Sequence, residues 1–183
     1  MKKFLIIFVL IIISFAQWSI AEDKMTVLPS LMNNGFEEAE QGKPKYWRFF
    51  GPEDAIIWDS QVYKEGKHST QILLQTRDVV RLQQAVEVEA FVRYYFGGAV
   101  KTESLDDGFA QINIIFLDKN GNEIKGTSVD MPKLSGTQGW TFEHVWVESP
   151  SGADAAYIIC FVNGKGKAWF DDIYFTTKIK GGY

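Results

Sequence analysis

Gly164-Lys165-Gly166-Lys167-Ala168-Trp169-Phe170-Asp171-Asp172-Ile173-Tyr174-Phe175 reads as a tight glycine turn feeding an aromatic strand. Two adjacent carboxylates interrupt that strand at positions where strand propensity favours Val or Thr. Consecutive strand residues point to opposite faces, so at least one of Asp171 and Asp172 is expected on the core side, where a charge needs a compensating partner. A hard cation such as Ca²⁺, bound by carboxylate and carbonyl oxygens, fits that need best.

Outward from this stretch the chain alternates short apolar runs with turn signals. Ala110 to Leu117 is the clearest strand: Ile112, Ile114 and Phe116 share one face, Gln111 and Asn113 the other, and Asp118-Lys119-Asn120-Gly121-Asn122 supplies a hairpin turn. Thr141 to Glu148, Ala155 to Asn163 and Ala168 to Thr176 read as three further strands. In the first half, Tyr46 to Phe50, Ala55 to Trp58 and Thr70 to Gln75 are aromatic or β-branched runs bounded by Gly, Pro, Asp and Ser. Val79 to Glu89 has a composition that also suits a helix, but Ala85, Glu87 and Glu89 alternate against Val86 and Val88, which favours a strand. Phe91 to Lys101 carries Gly97-Gly98, the mark of a bulge or kink. With roughly ten strands and no convincing amphipathic helix, the chain is expected to be all-β, a two-sheet antiparallel sandwich or a barrel.

Length and charge set the frame. At 183 residues the chain has room for one domain. Met1-Lys2-Lys3, an apolar run from Phe4 to Ile13 and Ser19-Ile20-Ala21 together read as a signal peptide over residues 1–21, cleaved after Ala21. An uncleaved anchor is the other reading, but the run is short for a bilayer. The expected location is therefore secreted, periplasmic or extracellular, with no membrane span after cleavage. Residues 22–30 form a polar lead-in, 31–177 the domain and 178–183 a short tail. Removing Lys2 and Lys3 from 19 basic residues leaves 17 against 23 acidic, a net charge of −6 in place of −4. That acidity argues against nucleic acid as a partner. Cys160, the one cysteine, lies in an apolar stretch and reads as a buried small hydrophobe.

Three stretches resemble the calcium-containing jelly-roll carbohydrate-binding modules, the group that includes the cellulase-C-like (CenC) modules with a galactose-binding-domain-like fold. They are Asn33-Asn34-Gly35-Phe36-Glu37 with Gly42, Pro44 and Trp47; Val100 to Glu103 with Ala110 to Asp118 and Gly121; and Gly139-Trp140-Thr141, Pro150, Gly152-Ala153 and Gly166 to Phe175. The resemblance implies a structural calcium tying the first strand to the last, with Glu37 and Asp171 as side-chain ligands, Gly35 as a carbonyl ligand, and the turn Glu65-Gly66-Lys67 supplying the rest, including Lys67. Solvated edge carboxylates, or pairing with Lys67, are the other readings of Glu37 and Asp171.

The resemblance also implies a polysaccharide or glycan as the partner. Pyranose rings stack on aromatic side chains while polar groups bond the hydroxyls at the ring edge. If Val145 and Val147 face the core, Phe142, His144 and Trp146 project together from the other face. On the strand read as their neighbour, Tyr157, Ile159 and Phe161 project outward with Asn163. Phe142, His144, Trp146, Tyr157, Gln111 and Asn113 are therefore the candidate ligand-binding residues, unless the lead-in, a loop or a second subunit covers them. Trp47, Trp58, Trp140 and Trp169 read as core or rim. Catalysis is not expected: the two histidines, His68 and His144, form no zinc motif, and no serine sits in a nucleophile elbow. A jelly-roll glycosidase or lyase is the alternative, with Glu143 the carboxylate to watch; a structural or adhesive envelope protein is a second.

Overall fold

A computed structural model describes residues 26–177. The signal peptide read over residues 1–21 and the tail at 178–183 lie outside the described residues. Ten strands follow in order: β1 (Val27–Leu28), β2 (Ala39–Glu40), β3 (Lys43–Pro44), β4 (Arg48–Phe50), β5 (Ile56–Asp59), β6 (Ser69–Glu87), β7 (Arg93–Leu117), β8 (Val129–Asp130), β9 (Leu134–Glu148) and β10 (Ala155–Thr176). One 3-10 turn, Glu53–Ala55, precedes β5. Part of the lead-in joins the sheet, since Val27 and Leu28 pair in parallel with Ala85 and Val86.

The sandwich is built from strands long enough to serve both layers. The first half of β10, from Ala155 to Asn163, pairs with Glu87 to Val79 of β6 on one side and with Leu117 to Phe109 of β7 on the other. Its second half, from Gly166 onward, pairs with Leu74 to Thr70 of β6 and with the start of β7, from Glu103 back to Tyr95. The first layer is completed by β1, β4 and β8, and the second by β5 and most of β9. Residues from both halves of β10 (Ile158, Cys160 and Val162; Ala168, Phe170, Ile173 and Phe175) belong to one hydrophobic core. The two halves of the continuous ladder therefore face each other as the layers of an antiparallel jelly-roll β-sandwich.

Three expectations from the sequence are corrected here. Gly164 to Lys167 is a bend inside β10, where the register shifts between Gly164 and Gly166 as the strand crosses from one layer to the other. The turn expected there does not form because both neighbours, β6 and β7, continue through the same bend. Secondly, Asp171 and Asp172 do not point to opposite faces. Phe170 and Ile173 both enter the core, Asp172 adopts φ +51, and the register against β7 slips between Asp171 and Tyr174. This bulge turns both carboxylates outward. Thirdly, β9 and β10 are not neighbours, because β7 runs between them.

Candidate functional site

The outer face of the first layer carries amide and aromatic side chains in register. One row across the strands is Arg48, Gln83, Ile159, Asn113 and Asp130. The next is Phe50, Arg81, Phe161 and Gln111; Tyr157 lies beyond the first of these rows, and Phe109 and Asn163 beyond the second. Antiparallel pairing directs paired side chains to the same side, so these residues share one surface. Ile159 is buried although it points away from the core, so neighbouring side chains of this face close over it. At its floor, Gln83 and Gln111 are each only 6% exposed. Gln83 Oε1, Gln111 Oε1 and Asn113 Oδ1 are shielded from solvent and accept no hydrogen bond among the described residues.

Those three oxygens carry the chemistry. A buried acceptor without a partner costs about 1–3 kcal/mol, and an amide can present either its oxygen or its NH₂ to whatever meets it. Two other shielded groups without partners, the hydroxyls of Thr70 and Thr102, lie across from Phe170 and Ala168 on the core side and belong to no such row. Around the amides, Phe109 and Phe161 meet at 5.7 Å between ring centroids, and the Arg48 and Arg81 guanidinium groups lie 4.9 and 5.0 Å from the Phe50 ring centroid.

Of the six candidate ligand-binding residues, the structure brings Gln111, Asn113 and Tyr157 together on this face. It places Phe142, His144 and Trp146 on the outer face of the other layer, where β9 pairs with Ala99, Gly97 and Tyr95 of β7. Tyr157 is thus separated from Trp146 by the thickness of the sandwich. The second-layer rings form their own cluster. Tyr95 lies 4.9 Å from His144, 5.5 Å from Trp146 and 6.3 Å from Tyr174, and Phe142 lies 5.8 Å from both His144 and Tyr174. Phe142 is 39% and Trp146 40% exposed. Val145, read as core-facing, is opposite buried Phe96 but lies at the open edge of β9 and is exposed. Trp47 and Trp169 are buried, and the Trp169 Nε1–H donates to Asp59 at 2.8 Å.

Sequence reasoning left out Gln83, Arg81 and Phe50. Arg81 and Gln83 alternate with core residues Val80 and Leu82, a local signal of a shared outward face. Nothing local says that this face lies beside Gln111, because that follows from the insertion of β10 between β6 and β7.

A second node gathers the residues read as metal ligands. Asp171 is fully buried, and its carboxylate accepts hydrogen bonds from the N–H groups of Lys64 (2.8 Å), Glu65 (3.1 Å) and Asp172 (2.7 Å). Glu37 Oε1 accepts from the N–H groups of Lys67 (2.9 Å) and His68 (3.2 Å). The two carboxylates therefore hold opposite ends of one turn. A Cβ on Gly35 would lie 3.7 Å from Asp171 Oδ1, and the Ile173 N–H donates to Asn34 O at 2.9 Å, so the first and last segments meet here. At Lys67 the group that reaches Glu37 is the N–H, where the resemblance implied a carbonyl turned to a metal.

Burial pushes the Asp171 carboxyl up to about 6 despite its three N–H donors, and the neighbouring Asp172 charge adds to the rise. Asp172 is also raised, by burial and then by the Glu65 charge. Burial acts to raise Glu37 as well, but the Lys67 and His68 N–H groups and the His68 ring outweigh it and leave it lowered. Among the described residues no three or more His, Cys, Asp or Glu side chains converge as a metal-holding set. A cation here would combine the carboxylates of Asp171 and Glu37 with backbone oxygens. One buried carboxylate, one exposed carboxylate and nearby backbone oxygens are hard donors of the kind Ca²⁺ takes.

No family model matches the chain. Among curated proteins it is similar to the tRNA(Glu)-specific nuclease WapA of Bacillus subtilis subsp. natto (strain BEST195), 28% identical over 158 residues. It is similar also to the tRNA nuclease WapA of Bacillus subtilis (strain 168), 27% identical over 158 residues. Each match takes in 78% of this chain, which spans only 6% and 7% of the length of those proteins. Among solved structures it is similar to TmCBM61 in complex with β-1,4-galactotriose, with a TM-score of 0.60, 22% identity and coverage of 82% of this chain and 99% of that one. The C-terminal family 22 carbohydrate-binding module of Clostridium thermocellum Xyn10B gives a TM-score of 0.55 at 16% identity over 80% and 98% of the two chains. The enzymatically active domain of bacteriophage CBA120 tailspike protein 4 gives 0.66 at 17% identity, over 81% of this chain and 21% of that one. At these identities the likeness is one of fold: a jelly-roll sandwich shared with carbohydrate-binding modules.

Proposed function

We propose that this chain is a secreted, non-catalytic carbohydrate-binding module whose glycan lies across the amide-lined face of the first layer. The observation that carries this reading is the set of three shielded amide oxygens without partners, Gln83, Gln111 and Asn113, placed among Tyr157, Phe161 and Phe50. Once the side chains covering them move aside, sugar hydroxyls, each both donor and acceptor, supply the missing hydrogen bonds, and the apolar face of a pyranose packs on Phe161. The fold shared with carbohydrate-binding modules supports the reading. The match to the WapA nucleases covers too small a part of those proteins to bring a nuclease activity with it.

Affinity electrophoresis of the purified chain through gels carrying individual polysaccharides is the direct measurement. Retardation by at least one glycan is expected, with Phe161→Ala weakening it by about 1–3 kcal/mol, the range for a flat ring stacked on an aromatic. A chain that runs freely through plant, algal and bacterial glycans alike would end the proposal.

A second reading keeps the glycan but moves it to Phe142, His144 and Trp146, favoured by the exposure of Phe142 and Trp146. It requires Trp146→Ala, and not Phe161→Ala, to abolish retardation. In either reading we propose a structural Ca²⁺ at Glu37 and Asp171, with Gly35 and Lys67 contributing backbone oxygens. Its chemistry there is charge neutralisation, joining the two ends of a chain that has no disulfide.

A further inference from the structure

We propose, resting on the glycan-binding reading above, that the polysaccharide taken by the first-layer face is anionic, its acid groups held by Arg81 and Lys133. In the described structure neither side chain pairs with a carboxylate, although the chain carries 23 acidic residues against 19 basic ones. Elsewhere three lysines pair with acids, Lys43 with Glu53, Lys45 with Glu38 and Lys167 with Glu103, while Arg93 and Lys101 rest on Trp146 and Trp169. On this face the partners of the two exposed cations are rings. The Arg81 guanidinium lies 5.0 Å from the Phe50 centroid, and Lys133 Nζ lies 4.2 Å from the Phe109 centroid. A cation resting on a ring is held in place while its other side stays open to an anion.

The two cations bracket the candidate sugar floor. Arg81 is opposite Phe161 and Phe161 is opposite Gln111, while Phe109, beneath Lys133, packs against Phe161 at 5.7 Å. From β6 across β10 to β7 is two strand spacings, about 10 Å. A line of cation, stacked rings with an amide, and cation matches a chain of sugars that carries acid groups along it. Asp130 is the acid nearest in register, and it lies on the row of Asn113, not on that of Arg81. Arg48, on the same Phe50 ring, is already engaged and carries no part of this inference. The shared ligand chemistry is a carboxylate or sulfate on a pyranose chain, and guanidinium and ammonium groups take both.

Affinity electrophoresis of the full chain through polygalacturonate, its fully methyl-esterified form, a sulfated galactan, a neutral galactan and single-stranded RNA tests this. Retardation is expected by polygalacturonate, by the sulfated galactan or by both, and the stronger of the two identifies the acid group. Esterification should weaken retardation at least tenfold. Arg81→Gln and Lys133→Gln should each weaken it several-fold and flatten its salt dependence, with melting temperatures unchanged. Gln111→Ala should weaken binding without altering the salt dependence. Equal retardation by the neutral and acidic polymers would overturn the charge assignment and leave the glycan reading standing. No retardation by any glycan would overturn both. Retardation by RNA above all glycans would replace the polymer class.

Discussion

At Gly166, β10 passes close against β7. A Cβ there would sit 2.2 Å from the Ser104 carbonyl oxygen, and its φ of +134 lies in a region that side chains avoid. Gly166→Ala is therefore expected to cost about 1–3 kcal/mol, a fall in melting temperature on the order of 2–12 °C for a chain of this length. Circular dichroism melting checks it, and an unshifted curve would mean that the crossing tolerates a side chain. The same stretch shows what a residue reveals in isolation. The glycines and the paired acids were legible as a conflict with strand propensity, and the conflict lies at the node that joins the chain ends. The bulge that turns both acids outward was not, because alternation is broken only by the register β10 keeps with β7, a strand more than fifty positions earlier.

At the scale of the element, β10 separates stability from binding along one strand. Ile158 is fully buried in the core, and Ile158→Ala is expected to destabilise by about 2–5 kcal/mol in urea unfolding. Phe161 belongs to the opposite side of the same strand. Its truncation should leave the unfolding midpoint nearly unchanged and act on glycan retardation instead, so a large loss of stability in Phe161→Ala would return that face to the core. This division was readable from the alternation between Ala155 and Asn163, as was the polar face of Gln111 and Asn113. Which faces adjoin was not readable. Placing Tyr157 beside Trp146 assumed that successive strands pair, whereas β10 inserts between β6 and β7 and leaves β9 on the far edge of β7. Strand order in a jelly roll comes from long-range closure, and short-range pattern carries little of it.

For the whole molecule, the node of Glu37, Asp171 and the turn between them ties stability to pH. In the cation-free chain the Asp171 carboxyl titrates at about 6, against about 3.9 for an unfolded aspartate. The folded state then holds this proton more tightly than the unfolded state. The Asp171 contribution to stability therefore grows as pH falls through 6, is complete below about 4, and is lost as pH rises again. Glu37 does not offset it in that window, because its lowered pKa keeps it ionised there. A bound Ca²⁺ holds Asp171 ionised and reverses the sign, so that stability supplied by the ion is lost on acidification. With chelator present, the wild-type melting temperature measured relative to Asp171→Asn should rise between pH 7 and pH 5. With excess Ca²⁺, the same difference should fall. At pH 7 the ion itself should add about 2.7 kcal/mol at a hundredfold excess over its dissociation constant. Chelated and Ca²⁺-supplemented melting curves that superimpose at pH 7 would remove the calcium and leave the node a purely hydrogen-bonded clasp. Glycan retardation at low temperature should persist under chelation, because the clasp and the amide-lined face lie on different layers of the sandwich.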